Sequence, residues 1–172
     1  MAKTLVILFS RAGENYVQGR IENLARGNTE VAVEYACKVS PMDVFRVETV
    51  KEYPSKYRAC TDEAALEQES GEKPELKSGL KDISAYEKIV VAGPIWWGTF
   101  PMAMLSAVEG LDFAGKTVYP LATHEGSGLG GTRDFVRRHC RGCTLGEGLA
   151  IQGASVRSSE ARIADWVKRN EL

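Results

Sequence analysis

Three short segments hold the residue types from which a ligand site could be built. They are Ser10-Arg11-Ala12-Gly13-Glu14-Asn15, Gly93-Pro94-Ile95-Trp96-Trp97-Gly98-Thr99 and Thr123-His124-Glu125-Gly126-Ser127-Gly128. The first combines small and hydroxyl residues leading toward a helix start. Backbone N–H groups, a Ser or Thr hydroxyl and the positive end of a helix dipole suit a phosphate. The Gly-Lys-Ser/Thr of a nucleoside triphosphate loop is missing, which favours a monophosphate carried on a cofactor. The second places two tryptophans side by side. Adjacent residues in a turn point in different directions, so one ring is expected to remain available for stacking on a flat aromatic ligand. The third is glycine-rich, and its N–H groups could surround a ligand's polar edge. It also spells G-x-G-x-x-G at Gly126, Gly128 and Gly131. A dinucleotide-binding fingerprint belongs in a first βα unit, however, and this one follows the fourth strand.

These segments need a scaffold, and the hydrophobic pattern predicts one. Thr4 to Phe9 is a continuous apolar run, as expected of a strand covered on both faces. Asn28 and Thr29 offer N-cap chemistry to a helix bearing Val31, Tyr35 and Ala36, which Pro41 stops. Val44 to Val47 reads as a second, weaker strand. The polar stretch from Lys51 to Asp82 holds a helix around Ala64 to Glu69. Lys88 to Ala92 and Lys116 to Ala122 read as the third and fourth strands. Between them Pro101, read as an N1 residue, opens a helix through Val108. Arg133 to Cys140 reads as a helix, Leu145 to Ile151 as the fifth strand, and Ile163, Trp166 and Val167 as the apolar stripe of a last helix. Five strands alternating with helices predict a parallel sheet covered on both faces, within one domain spanning residues 1–172. In such a sheet ligands bind beyond the carboxyl ends of the strands, where strand order reverses, and the three segments follow strands one, three and four.

The whole-chain numbers narrow the classes. At 172 residues, with 44% apolar residues and 22 Lys and Arg against 23 Asp and Glu, this is an ordinary globular composition that buries enough surface to need no disulfide or metal. A net charge of -1 supplies no basic field for nucleic acid. The apolar runs are too short to span a bilayer, and no secretory cleavage site follows the N-terminus. Cys37, Cys60, Cys140 and Cys143 fit a reducing cytoplasm better than a disulfide framework. Cys140 and Cys143 form one C-x-x-C without a second pair, and read as two plain thiols; His139, among arginines, is expected in solvent. Glu63, Glu67, Glu69, Glu72 and Glu75 form an acidic stretch that reads as a solvated helix face.

Together, the three loops and alternating strands resemble the flavodoxin-like FMN proteins, in particular the bacterial flavodoxin-related proteins with a Trp-Trp-Gly loop and a Thr-His-Glu-Gly-Ser-Gly loop. The resemblance covers nearly the whole chain. It implies a three-layer α/β/α fold with a five-stranded parallel sheet in the order 2-1-3-4-5. It implies FMN as cofactor, its phosphate held by Ser10, Arg11, Ala12 and Thr29, with either Asn15 or Asn28 facing it. Pro94, Ile95, Trp96, Trp97 and Gly98 would run along the isoalloxazine, with Trp97 preferred over Trp96 for stacking and Gly98 allowing a backbone group near flavin N5. Thr123, His124, Glu125, Gly126, Ser127 and Gly128 would surround the pyrimidine side, His124 mainly through its backbone. The phosphate loop departs from the compact family pattern: Ser10 to Gly13 is separated from Gly27-Asn28-Thr29 by an insertion containing Tyr16 and Arg20. The expected activity is electron transfer through non-covalently bound FMN, with a redox protein or a small acceptor as partner. The alternative is an FMN-dependent NAD(P)H reductase of a small acceptor such as a quinone.

Overall fold

A computed structural model describes residues 3–172. Its central sheet contains β1 (Thr4–Leu8), β4 (Asp43–Arg46), β5 (Lys88–Pro94), β6 (Thr117–His124), β7 (Thr144–Leu145) and β8 (Leu149–Gln152). All neighbours are parallel, in the order β4-β1-β5-β6, and both β7 and β8 pair with β6. This is the 2-1-3-4-5 order expected, with β7 and β8 sharing the fifth place.

The sheet separates two cores because successive side chains of a strand point to opposite faces. Leu5, Ile7, Ile89 and Val91 pack with Phe100, Met104, Phe113 and Phe135 on one side. Val6, Leu8, Val90 and Ala92 pack on the other with Val31, Ala32, Ile163 and Trp166. The second face is covered by α1 (Asn28–Val39) and α5 (Glu160–Arg169); the first, by α3 (Met102–Val108) and α4 (Thr132–His139). A further helix, α2 (Tyr57–Ser70), contributes only Cys60 and Ala64 as buried residues.

The structure revises three boundaries. The fifth strand is interrupted. Val118 pairs with Leu145 and Leu121 with Leu149, so the edge carries one more residue than β6 across the gap, a bulge. Pro120 lies opposite this gap, where its missing N–H cannot hold a neighbouring strand. A Cβ on Gly146 would come within 2.3 Å of the Tyr119 ring, which lets the detached chain pass close over it. Secondly, Pro101 is the N-cap of α3 rather than its first residue. Thirdly, α2 is longer than the expected Ala64 to Glu69, because its first two turns are recruited by tertiary contacts described below. Among the described residues, no helix is long and apolar enough to cross a membrane.

Candidate functional site

The insertion after β1 is a β-hairpin, β2 (Gly13–Val17) and β3 (Arg20–Leu24), separate from the main sheet. Val17 pairs with Arg20, and Gln18 and Gly19 lie between them with φ of 47° and 84°. Two positive-φ residues make the type I′ turn whose twist matches the strands it joins. The hairpin returns the chain to its starting point, so the two separated halves of the phosphate-type loop lie together. Gly27 shows how closely: a Cβ there would sit 2.1 Å from Ser10 Oγ and 2.8 Å from the Arg11 carbonyl oxygen. Gly27, rather than Asn28 or Thr29, is the N-cap of α1, and it has no side chain to cap with. Ser10 substitutes for it, its Oγ accepting the Glu30 N–H at 3.1 Å.

The second loop is another type I′ turn. Trp96 and Thr99 exchange backbone hydrogen bonds, and Trp97 and Gly98 between them have φ of 51° and 88°. For tryptophan this is a strained conformation, of the kind concentrated at functional sites. The two rings part as expected. Trp96 meets Phe9 and Tyr53 edge-on, while Trp97 is 57% exposed. The Trp97 indole N–H donates to the Thr61 carbonyl at 2.9 Å, and Gln68 Nε2 donates to the Trp97 carbonyl at 3.2 Å. Both bonds secure the turn to α2.

In the third loop, Thr123 and Thr29 share a buried hydroxyl–hydroxyl hydrogen bond of 2.7 Å, joining it to the phosphate-type turn. His124 Nδ1 accepts the Gly126 N–H at 2.9 Å, and burial holds the imidazole below its ordinary pKa. In its neutral form the ring therefore carries its proton on Nε2. The G-x-G-x-x-G has local explanations: Gly126 and Gly128 have φ of 130° and 61°, and the Gly131 N–H donates to the Gly98 carbonyl at 2.7 Å, where a Cβ on Gly131 would come 3.2 Å from that oxygen.

The three loops enclose a cavity of about 640 Å³, within the range of cofactor pockets. Of the expected site residues, Ser10, Arg11, Asn15 and Thr29 line it, as do Pro94, Ile95, Trp96, Trp97, Thr123, His124, Glu125 and Ser127. Ala12, Gly98, Gly126 and Gly128 do not. Gly98 owes its type to the turn, and its carbonyl is directed to α4. Arg11 lines the cavity, but its guanidinium is spent on the carbonyls of Glu14, Pro54 and Ser55. Asn15 Nδ2 donates to the carbonyls of Arg11 and Gly13, both at 3.1 Å, and Asn28 also faces the cavity from the first turn of α1.

Sequence reasoning missed Gly153, which lies beside Asn28 and Glu125, and a further wall made of Tyr16, Tyr57, Arg58, Cys60, Thr61 and Asp62. Ties between distant residues hold it. Glu14 accepts from Lys56 Nζ at 2.8 Å and from the Tyr57 N–H at 2.9 Å. The lysine bond, and then the amide bond, keep the Glu14 carboxyl below its ordinary pKa. Glu125 reaches both ways, accepting the Gln18 N–H at the hairpin tip at 3.1 Å and the Ala154 N–H at 3.2 Å. Tyr53 donates to Glu67 at 2.7 Å, and burial pushes the phenol pKa up. With Glu63 paired to Lys51 as well, the acidic stretch is partly occupied by internal contacts. His139 is exposed. Cys140 is buried, its thiol pushed up to about 12 by burial, and burial also raises Cys143. Neither has the lowered pKa of a reactive thiol.

The flavodoxin family profile matches residues 3–170. This chain belongs to the flavodoxin family of FMN-binding proteins. Its fold is that of a candidate flavoprotein from Bacteroides eggerthii, with TM-score 0.77 and 24% identity over 100% of this chain and 99% of that one. A candidate flavoprotein from Bacteroides uniformis gives 0.72 and 26% identity over 97% and 98%. A flavoprotein from Lactobacillus acidophilus in complex with FMN gives 0.60 and 16% identity over 92% and 98%. No curated protein sequence matches this flavodoxin-family chain. The residues present suit FMN: a hydroxyl-lined turn at the start of α1 for the phosphate, an exposed indole for the ring and a polar loop for its edge. Gly27 and Gly153 leave the cradle open where a Cβ would collide with Ser10 at one and with Asn28 and Glu125 at the other.

Proposed function

We propose that this protein binds FMN non-covalently in the cavity above the carboxyl ends of β1, β5 and β6, and transfers electrons through it. The observation that carries the reading is the convergence of all three loops on one cavity. Ser10, Asn28 and Thr29 hold the phosphate at the positive end of α1. Trp97 stacks on the isoalloxazine, and the Thr123 to Ser127 segment receives its polar edge. FMN supplies the redox chemistry; the protein positions it and tunes its potential by stacking and hydrogen bonding. His124, which lines the cavity, contributes an Nε2 proton donor. The reading places this activity in the cytoplasm.

The reductase of a small acceptor is favoured by a separate observation: the cavity continues past the three loops to Tyr16, Tyr57 and Arg58, where a second small molecule has room. The near-neutral chain also lacks the strong overall field that steers a carrier to a protein partner.

The test is purification, a visible spectrum and titration with FMN, then anaerobic titration with NADH and NADPH. A yellow protein, or a colourless one that takes up FMN, supports the central reading. A colourless protein that takes up none overturns it. Rapid bleaching by a nicotinamide selects the reductase.

A further inference from the structure

The cavity wall contributed by the hairpin and α2 is more than a cover. Tyr16 on β2 and Tyr57 at the start of α2 stack with ring centroids 6.2 Å apart and planes inclined by 28°. Tyr16 nonetheless remains 43% exposed. Arg58 follows Tyr57 and also lines the cavity. Among the described residues its guanidinium makes neither an ion pair nor a hydrogen bond, in contrast to Arg11, which is consumed by three backbone carbonyls. Asp62, one turn further on, faces the same cavity, and no ion pair joins it to Arg58. The same three residues, Tyr16, Tyr57 and Arg58, also line an adjoining groove of about 440 Å³ that extends to Ile21, Lys56 and Glu14, whose carboxylate is paired with Lys56.

This wall is built in place. The hairpin base is tied to α2 through Glu14, and its tip to the third loop through Glu125. Two aromatic rings and the Arg58 side chain are thereby set on one wall of the cavity that the three loops also line. A guanidinium provides planar, multidentate donors suited to carboxylate, sulfonate or phosphate oxygens, and aromatic rings accept a flat partner by offset stacking.

We propose that Tyr16, Tyr57 and Arg58 form a second ligand subsite, for a planar aromatic molecule bearing one anionic group. Its ring lies in the FMN cavity and its anion is held by Arg58 at the mouth of the groove. This subsite rests on FMN occupying the three loops. It gives the hairpin insertion a purpose, the selection of a small redox partner by shape and charge.

The test uses FMN-loaded protein and equilibrium dialysis with two probes, an anthraquinone monosulfonate and the uncharged hydroxymethyl anthraquinone. Arg58 is exposed, so Arg58→Gln is expected to fold. The variant weakens monosulfonate binding about tenfold, as loss of a charge-assisted hydrogen bond does, and leaves the uncharged probe and FMN affinity unchanged. Tyr16→Leu weakens both probes. Equal monosulfonate affinity in wild type and Arg58→Gln overturns the proposal. So does a comparable loss of FMN affinity in Arg58→Gln, which assigns the guanidinium to the cofactor. Failure of the FMN reading is distinct, because it shows as protein that retains no flavin before any probe is added.

Discussion

The two sides of the cavity are built on different principles. The side formed by the loops after β1, β5 and β6 lies at the ends of buried strands, so its residues are positioned by the same burial that forms the sheet. The further wall, from β2 and α2, has little buried apolar surface of its own. It is held by hydrogen bonds between residues far apart in sequence, such as Gln18 with Glu125 and Glu14 with Lys56. The first side continues from buried strands and suits a cofactor that stays. The second is fastened at a few points and suits a ligand that exchanges, since regions with few buried contacts open most readily.

Substitutions test this contrast, and the largest effect is expected at Gly27. In Gly27→Val the added Cβ meets Ser10 Oγ at 2.1 Å and Arg11 backbone atoms at 2.8 and 2.9 Å. The two halves of the phosphate turn must separate, at a cost of about 1–3 kcal/mol in stability. FMN affinity is expected to fall by about a hundredfold or more, read by flavin fluorescence titration alongside thermal unfolding. Retained affinity would show that the phosphate binds elsewhere.

Gly98→Val comes next. A β-branched residue at φ 88° strains the type I′ turn by about 1–3 kcal/mol, and the turn carries Trp97. Weaker FMN binding or a shifted potential is expected; if both are unchanged, the turn does not contact the flavin. Trp97→Ala removes the exposed indole, and a stacking contribution of about 0.5–1.5 kcal/mol predicts a loss of FMN affinity of up to about tenfold. Since Trp96 is packed against Phe9 and Tyr53, Trp96→Ala should instead register mainly in thermal unfolding, which separates the two tryptophans.

The smallest effect concerns the wall. The Glu14 carboxyl is depressed by its bonds from Lys56 and Tyr57. A depressed acid contributes stabilisation above its unfolded pKa, and that contribution disappears as pH falls through the folded value. Acidification below the ordinary carboxylate range should therefore free the hairpin base. Hydrogen exchange at the Tyr57 amide should rise there, and Glu14→Gln should show the faster exchange already at neutral pH. Unaltered exchange in both would mean that the wall is held by the tyrosine stack and Arg11 instead.

Much of this arrangement was legible in the chain. The unbroken apolar runs at Leu5 to Leu8 and Ile89 to Ala92 identify strands buried on both faces, and parallel neighbours require the intervening helices. The break in the edge strand was not legible: Leu145 to Ile151 reads as one strand, and the missing N–H of Pro120 acts on a neighbour whose register only the folded sheet fixes. The hairpin was harder to see. Its Gln-Gly turn is not the Asn-Gly that marks a type I′ hairpin, and its strands carry Glu14, Asn15, Glu22 and Asn23 in place of a clear apolar alternation. The first turns of α2 were also hidden, since their polar residues face solvent and the cavity rather than a core.

By itself the sequence determined the layered sheet, the helices that cover it and the three loops at its edge, because periodicity and chain-local turn chemistry carry that information. Only the tertiary structure decided that the split phosphate turn closes over Gly27, that Trp97 rather than Trp96 is exposed, and that Tyr16, Tyr57 and Arg58 share one wall. Each of those outcomes depends on hydrogen bonds and close approaches between residues widely separated in the chain, and side-chain type and spacing do not encode which distant partner a donor will find.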